Sequence, residues 1–296
     1  MIPTTVIGSY PVRLDGAKYA KSYFFGEGFD ASSESLGQAV EAQVDAGIEI
    51  VSDGQTSGDF IKIFAKRFRG VVIQSRPVVV GSVEYAGFAS VDAQKAVRQL
   101  LPGGRQLKGI ITGPYTLAKG SENRHYRGVE DLAYAYAEGL AKEASALDDV
   151  VDFVQIDEPF FSVDYPEYGR KLIEQVLRGV SKPRMLHVCG DVSTIFGKLV
   201  EYKVEYLEHE FAANPGLWET VKDVDFDQTL GVGVVRSDIN KAETVDVILA
   251  RMNVALAFRE PNRLMFNPDC GMRNLDPQVA KTKLKNMVKA RDKAGY

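Results

Sequence analysis

The chain has 296 residues, 45% of them apolar, with a net charge of −4 and two cysteines. That is enough apolar material for one large core. The acidic balance, without a basic run, argues against a nucleic-acid partner, and no apolar run approaches the ~18 residues of a membrane span.

The N-terminus Met1-Ile2-Pro3-Thr4-Thr5 has no signal-peptide core, so a cytoplasmic protein is expected. In that compartment Cys189 and Cys270 point to metal binding or free thiols rather than to a disulfide.

Short β-rich runs alternate with helical segments. Residues 4–7 read as the first strand, ending in Gly8-Ser9. Residues 32–46 read as a helix, with Leu36, Val40 and Val44 on one stripe. The second strand, 48–52, ends at Asp53-Gly54-Gln55, and a short helix follows at 58–68. Residues 70–88 are β-branched and punctuated by turn residues, which predicts a β-hairpin insertion. A helix at 90–101 precedes strand three, 108–112, ending at Gly113-Pro114. A long helix at 128–147 leads to strand four, 152–156, ending at Asp157-Glu158-Pro159. Helix 166–179 leads to strand five, 184–188, which carries His187 and is followed by Cys189. Helix 192–202 and strand six, 204–210, come next, then a short helix at 215–223. Strand seven, 230–235, ends at Arg236-Ser237-Asp238. Helix 242–258 leads to strand eight, 263–266, ending at Asn267-Pro268-Asp269-Cys270. A helix at 277–293 finishes the series.

Eight strands, mostly followed by helices, predict a single (β/α)8 TIM barrel spanning residues 1–296. The competing architecture is an open doubly wound sheet, but the first strand lacks a Gly-x-Gly-x-x-Gly turn.

Active sites of this barrel form at the C-terminal strand ends. Those ends carry Gly8-Ser9, Asp53 and Gln55, Asp157-Glu158, His187 and Cys189, Glu208 and Glu210, Arg236 and Asp238, and Asp269-Cys270. Residues two apart on a strand share a face, so His187 and Cys189 point into one pocket. With Cys270 and a carboxylate from strand six they make a zinc-type donor set. Spacing alone leaves Glu208 and Glu210 open. It turns His209 towards the helix layer, and His125 reads as a loop residue. Adjacent Asp157 and Glu158 point apart, which disfavours a two-carboxylate hydrolase: one can face the pocket while the other supports a loop.

Zinc held by two thiolates, an imidazole and a carboxylate is poor at making hydroxide and good at holding another thiolate. Methyl transfer to a small thiol follows as the expected chemistry. An amino-acid thiol needs receptors for its carboxylate and its amine. Ser9 with backbone N–H groups suits the first, and Asp157 with Gln55 the second.

The blocks at residues 5–11, 53–55, 112–114, 155–159, 187–189 and 267–271 resemble the catalytic C-terminal domain of cobalamin-independent methionine synthase. The resemblance covers most of the chain. It implies a zinc-dependent (β/α)8 barrel that methylates homocysteine. It carries the zinc ligands over to His187, Cys189, Cys270 and a strand-six glutamate, with ungapped matching favouring Glu210. It carries the homocysteine contacts over to Ile7, Gly8, Ser9 and Asp157.

Three departures accompany it. The family's second amine-binding acid falls at the neutral Gln55. Its folate-stacking tryptophan falls near Lys119-Gly120, and its catalytic histidine falls at Arg236. The chain is similar to the short core forms of archaea and some bacteria, which lack the N-terminal barrel that helps hold folate. From these departures a methylcorrinoid, free as methylcobalamin or on a corrinoid protein, is expected as donor, with Arg236 facing a donor phosphate or carboxylate. Two alternatives are methyl transfer to another thiol such as coenzyme M, and a non-catalytic module that binds zinc or a corrinoid carrier.

Overall fold

The computed structural model describes residues 1–14, 16, 17 and 30–296. In chain order its strands are β1 (Ile50–Val51), β2 (Phe68–Ile73), β3 (Pro77–Tyr85), β4 (Gln106–Thr112), β5 (Glu122–Asn123), β6 (Phe153–Asp157), β7 (Arg184–Val188), β8 (Tyr206–His209), β9 (Thr229–Val235) and β10 (Leu264–Pro268). Its helices are α1 (Ala31–Ala46), α2 (Phe60–Ala65), α3 (Val91–Leu100), α4 (Pro114–Gly120), α5 (Val129–Asp148), α6 (Gly169–Leu177), α7 (Phe196–Leu199), α8 (Leu217–Val221), α9 (Val245–Phe258) and α10 (Pro277–Lys293).

The architecture is α/β. One parallel sheet has the order β1-β4-β6-β7-β8-β9-β10. Residues 4 and 5 meet both of its edges: Thr4 bridges Phe266 of β10, and Thr5 bridges Ile50 of β1. Thr5 N–H donates to Phe266 O at 2.9 Å, and Ile50 N–H donates to Thr4 O at 3.1 Å. The expected first strand is thus reduced to a pair of bridges. A smaller sheet joins β2, β3 and β5, with β2 and β3 antiparallel and β5 parallel to β3.

Local sequence explains the helix ends. The Asp30 carboxylate accepts Ser32 N–H at 2.9 Å at the start of α1, and Gly47 ends that helix at φ 91°. Asp276 caps α10, where Pro277 supplies a preset φ at the first turn. The strands of the large sheet are nearly continuous buried runs, as expected when helices cover one face and side chains fill the other.

Two structural differences from the sequence expectations bear on the site. The segment 192–202 holds only one short helix, Phe196–Leu199. The segment after Gly113 forms α4, an element the sequence pattern does not announce.

The main core lies between the sheet and its helices. A second cluster, Ile50, Phe153, Met185 and Met265 with Tyr206 against it, lines the concave side. Phe153, Gln155 and Asp157 alternate along β6, and Met185 and His187 along β7, so this apolar layer sits beneath a polar one.

Candidate metal and thiol site

Register builds the polar layer. Asp157 pairs with His187, and His187 pairs with Glu208, one row across β6, β7 and β8. Cys189 follows directly after β7, and Cys270 lies two residues past β10. The ligand atoms of His187, Cys189 and Cys270 all lie within 4.8 Å of one another. His187 Nδ1 stands 3.1 Å from Glu208 O and Nε2 stands 2.8 Å from Cys189 Sγ. A carbonyl only accepts, so Nδ1 carries the proton and Nε2 offers its lone pair to the cysteines.

Electrostatics fit a metal. Burial, aided by the charges of His209 and Lys108, holds the His187 pKa well below the usual histidine range, so the imidazole is neutral. Its hydrogen bond with Cys270, then burial and the nearby charges of Cys270, Asp157 and Glu210, push the Cys189 thiol well up. A bound cation reverses that last balance, because two thiols and a carboxylate are the groups it stabilises as anions.

The two glutamates have separate fates. Glu208 is fully buried and ion-paired with Lys108, whose Nζ donates to Oε1 at 3.1 Å and to Oε2 at 3.3 Å. Glu210, just past β8, accepts Asn214 Nδ2 at 3.4 Å and stands outside the three-residue cluster. Burial raises its pKa, followed by the charge of Asp238. Three of the four sequence-expected ligands are therefore brought together.

Cys189 and Cys270 open into a cavity of about 580 Å³, lined also by Ile7, Gly8, Ser9, Gln55 and Asp157. Asp157 accepts Gln155 Nε2 at 2.5 Å, and burial pushes its pKa up to about 7. Gln55 is held at φ 45°, its N–H on Asp53 Oδ1 at 3.1 Å and its carbonyl accepting from Arg273. Its Nε2 is buried with no partner among the described residues. Gly8 lies close under Gln55: a Cβ there would stand 2.9 Å from Gln55 Oε1 and displace that amide.

Sequence reasoning missed four polar or aromatic walls of this cavity: Asp59, Phe60, Arg273 and Asn274. Arg273 and Asn274 follow the Asp269-Cys270-Gly271 block directly. That adjacency was the available signal.

Other candidates fall elsewhere. Glu158 accepts Tyr115 N–H at 2.9 Å and Thr116 N–H at 2.8 Å, and so caps α4. His209 is buried with its ring 5.8 Å from that of Phe196, on the helix side. His125 is exposed beside Tyr126. Arg236 is half-buried, and its Nε donates to Asp238 Oδ1 at 2.8 Å. Gly120 has a packing reason to be small, since a Cβ would stand 2.6 Å from Ile61 Cδ1. Among the described residues no helix is long and apolar enough to cross a membrane.

Comparison with known proteins gives a consistent result. Residues 2–293 match the family model described as cobalamin-independent synthase, catalytic domain. A protein of Methanocaldococcus jannaschii named methionine synthase is 34% identical, covering 97% of each chain. One of Methanothermobacter marburgensis, also named methionine synthase, is 34% identical over 97% of this chain and 98% of its own. A solved structure of a B12-independent methionine synthase from Shewanella sp. W3-18-1, in complex with selenomethionine, superposes with a TM-score of 0.84. It is 24% identical and covers 100% of this chain and 98% of its own, and at that identity it speaks for the fold.

These matches overturn the expected methylcorrinoid donor and corrinoid-protein partner. The matched family is described as cobalamin-independent, and the Shewanella structure as that of a B12-independent methionine synthase. The physical error lay in treating lost contacts as a new site. Gly120 packs against Ile61, Arg236 pairs with Asp238 and the Gln55 carbonyl accepts from Arg273.

Proposed function

Since the chain belongs to the cobalamin-independent synthase catalytic-domain family and is a methyltransferase of the methionine-synthase type, we propose that it methylates homocysteine at a zinc ion held by His187, Cys189, Cys270 and Glu210. The observation that carries this reading is the cluster of a buried, neutral imidazole and two half-buried cysteine sulfurs, with both cysteines lining the same cavity as Asp157. Zinc supplies one thing when bound: it keeps a substrate thiol deprotonated near neutral pH.

The chain's own groups do the rest. The ammonium of homocysteine meets Asp157, whose ionised form an arriving positive charge favours. Its carboxylate meets Ser9 and the backbone N–H groups around Ile7 and Gly8. Gln55 adds a neutral amide to the same wall. Glu210, close enough for its charge to act on Cys189, would supply the fourth ligand. The walls at Phe60 and Pro159 keep the thiol and the donor methyl in line with little competing water. In this reading the protein is one domain over 1–296, a (β/α)8 barrel closed by the bridges at Thr4 and Thr5. The β2–β3 pair is a hairpin inserted into it.

The test has three arms. Zinc content and homocysteine binding are measured on the purified protein. Methionine formation is then followed with methyltetrahydrofolate carrying one or three glutamates. Turnover that vanishes in Cys270→Ala is the expected result. Absence of thiol binding to the zinc-loaded protein defeats the homocysteine reading, and absence of turnover with every folate form defeats the donor.

A further inference from the structure

The chain leaving β10 reaches back across the sheet. The β9–β10 register slips by one residue, with Asn267 opposite Gly233 and Pro268 opposite Val235, so Val234 is the extra residue of a bulge. Bulges of this kind re-aim the side chains beside them. Directly after it, Asp269 N–H donates to Val235 O at 2.8 Å. The buried Asp269 carboxylate lies over β9, where a Cβ on Gly233 would overlap its Oδ1 and stand 2.9 Å from His209 O. Glycine at 233 thus leaves the gap through which an acid from β10 reaches the exit of β8.

At that exit Asp269 Oδ1 accepts the Ala212 N–H at 2.9 Å. Ala212 lies two residues past Glu210, and Asp269 adjoins Cys270. Glu210 is near enough for its charge to act on Asp269. Between Glu210 and Ala212, Phe211 is buried with its ring 4.3 Å from that of Trp218. The short segment that carries Glu210 is therefore pinned twice, by an aromatic pair and by Asp269. A buried carboxylate is a costly way to hold a loop, since an apolar contact needs no desolvation of charge.

We propose that Asp269 is a positioning residue for the metal site. By holding Ala212 it fixes the backbone that carries Glu210 relative to Cys270, and so keeps the fourth donor beside the other three. This rests on the zinc–thiol reading above. Groups that orient metal ligands typically change metal affinity about 10–100-fold when removed.

The experiment is a cycle of Asp269→Ala, Glu210→Gln and the double variant, read as zinc affinity by chelator competition. Asp269→Ala is expected to weaken zinc binding about 10–100-fold. The loss in the double variant is expected to match that of Glu210→Gln alone, because an aspartate that acts through Glu210 adds nothing once that ligand is gone. Asp269→Asn keeps an acceptor for Ala212 and is expected to retain most of the affinity. In the metal-free protein, faster hydrogen exchange of the Ala212 amide in Asp269→Ala reports the lost tie. An Asp269→Ala protein that melts lower yet binds zinc like wild type overturns the proposal, and so do fully additive losses. If Asp269→Ala does not fold, Asp269→Ser takes its place in the cycle under the same two criteria. Additive losses defeat the positioning role alone. A wild-type protein that takes up no zinc, or a Glu210→Gln variant with wild-type affinity, defeats the ligand reading and the proposal with it.

Discussion

His187 Nε2 and Cys189 Sγ stand 2.8 Å apart on the same face of one chain segment, with the ring's other nitrogen tied to Glu208 O. The pair is preset to share one ligand. Because Cys189 holds its proton above the usual thiol range, a metal must displace it. Zinc affinity is therefore expected to fall as pH falls, by about tenfold per unit for each proton displaced. Chelator competition at pH 6, 7 and 8, with proton release followed by an indicator dye, measures it. A pH-independent affinity contradicts thiol ligation.

The two glutamates of the β8 region are expected to separate cleanly. Glu210→Gln lowers zinc affinity with little change in melting temperature. Glu208→Ala leaves Lys108 buried without its partner and costs about 3–5 kcal/mol of stability. Thermal melts and zinc titrations of both variants decide the assignment, and equal stability losses would count against it.

Asp157→Asn removes the buried acid of the cavity; its other acid, Asp59, is exposed and caps α2. KM for homocysteine is expected to rise about 10–100-fold, the value of a hydrogen bond between charged groups. A thiol acid without the amine, 4-mercaptobutanoate, serves as the control and is expected to bind wild type and variant alike. Equal losses for both thiols rule out amine recognition by Asp157.

Glu158 is predicted to be structural. Its carboxylate takes two backbone N–H groups and the Thr116 hydroxyl at the start of α4. Glu158→Ala orphans those donors and is expected to cost about 1–3 kcal/mol in urea unfolding. Unchanged stability would show that water replaces the cap.

His209 gives the fold a pH dependence. Burial pushes its pKa down to about 4, against about 6.5 when unfolded. Between those values the unfolded chain binds the extra proton, so stability is complete above about pH 6.5 and is lost as pH falls towards 4. At pH 5 this single group is expected to cost about 2 kcal/mol relative to pH 7.5. His209→Phe should remove that part of the slope, measured by denaturant unfolding at the two pH values.

Much of the site was legible because its signals are local. A strand end followed by Cys189, and a second followed by Cys270, state their chemistry in a few residues. The alternation of β8 placed His209 on the helix side, where Phe196 meets it. Arg273 was not legible, because its role depends on the Gln55 carbonyl, far away in the chain. Helix α4 was missed for a similar reason: its N-terminus is satisfied by Glu158 from another strand rather than by a neighbouring cap. Gln55, Gly120 and Arg236 do not by themselves name a donor, because each also answers to a protein neighbour: Arg273, Ile61 and Asp238.

By itself the sequence determined the alternation of strands and helices, the rim on which the chemistry sits and the residue types that can hold a metal. These follow from periodicity and from the chemistry of single strand ends. The tertiary structure decided which glutamate is ion-paired in the core. Glu208 and Glu210 are equivalent by spacing, and they part only because Lys108 reaches one of them from β4 while the other lies at the rim. That choice depends on strand register and on a contact across the concave face, which no local pattern encodes.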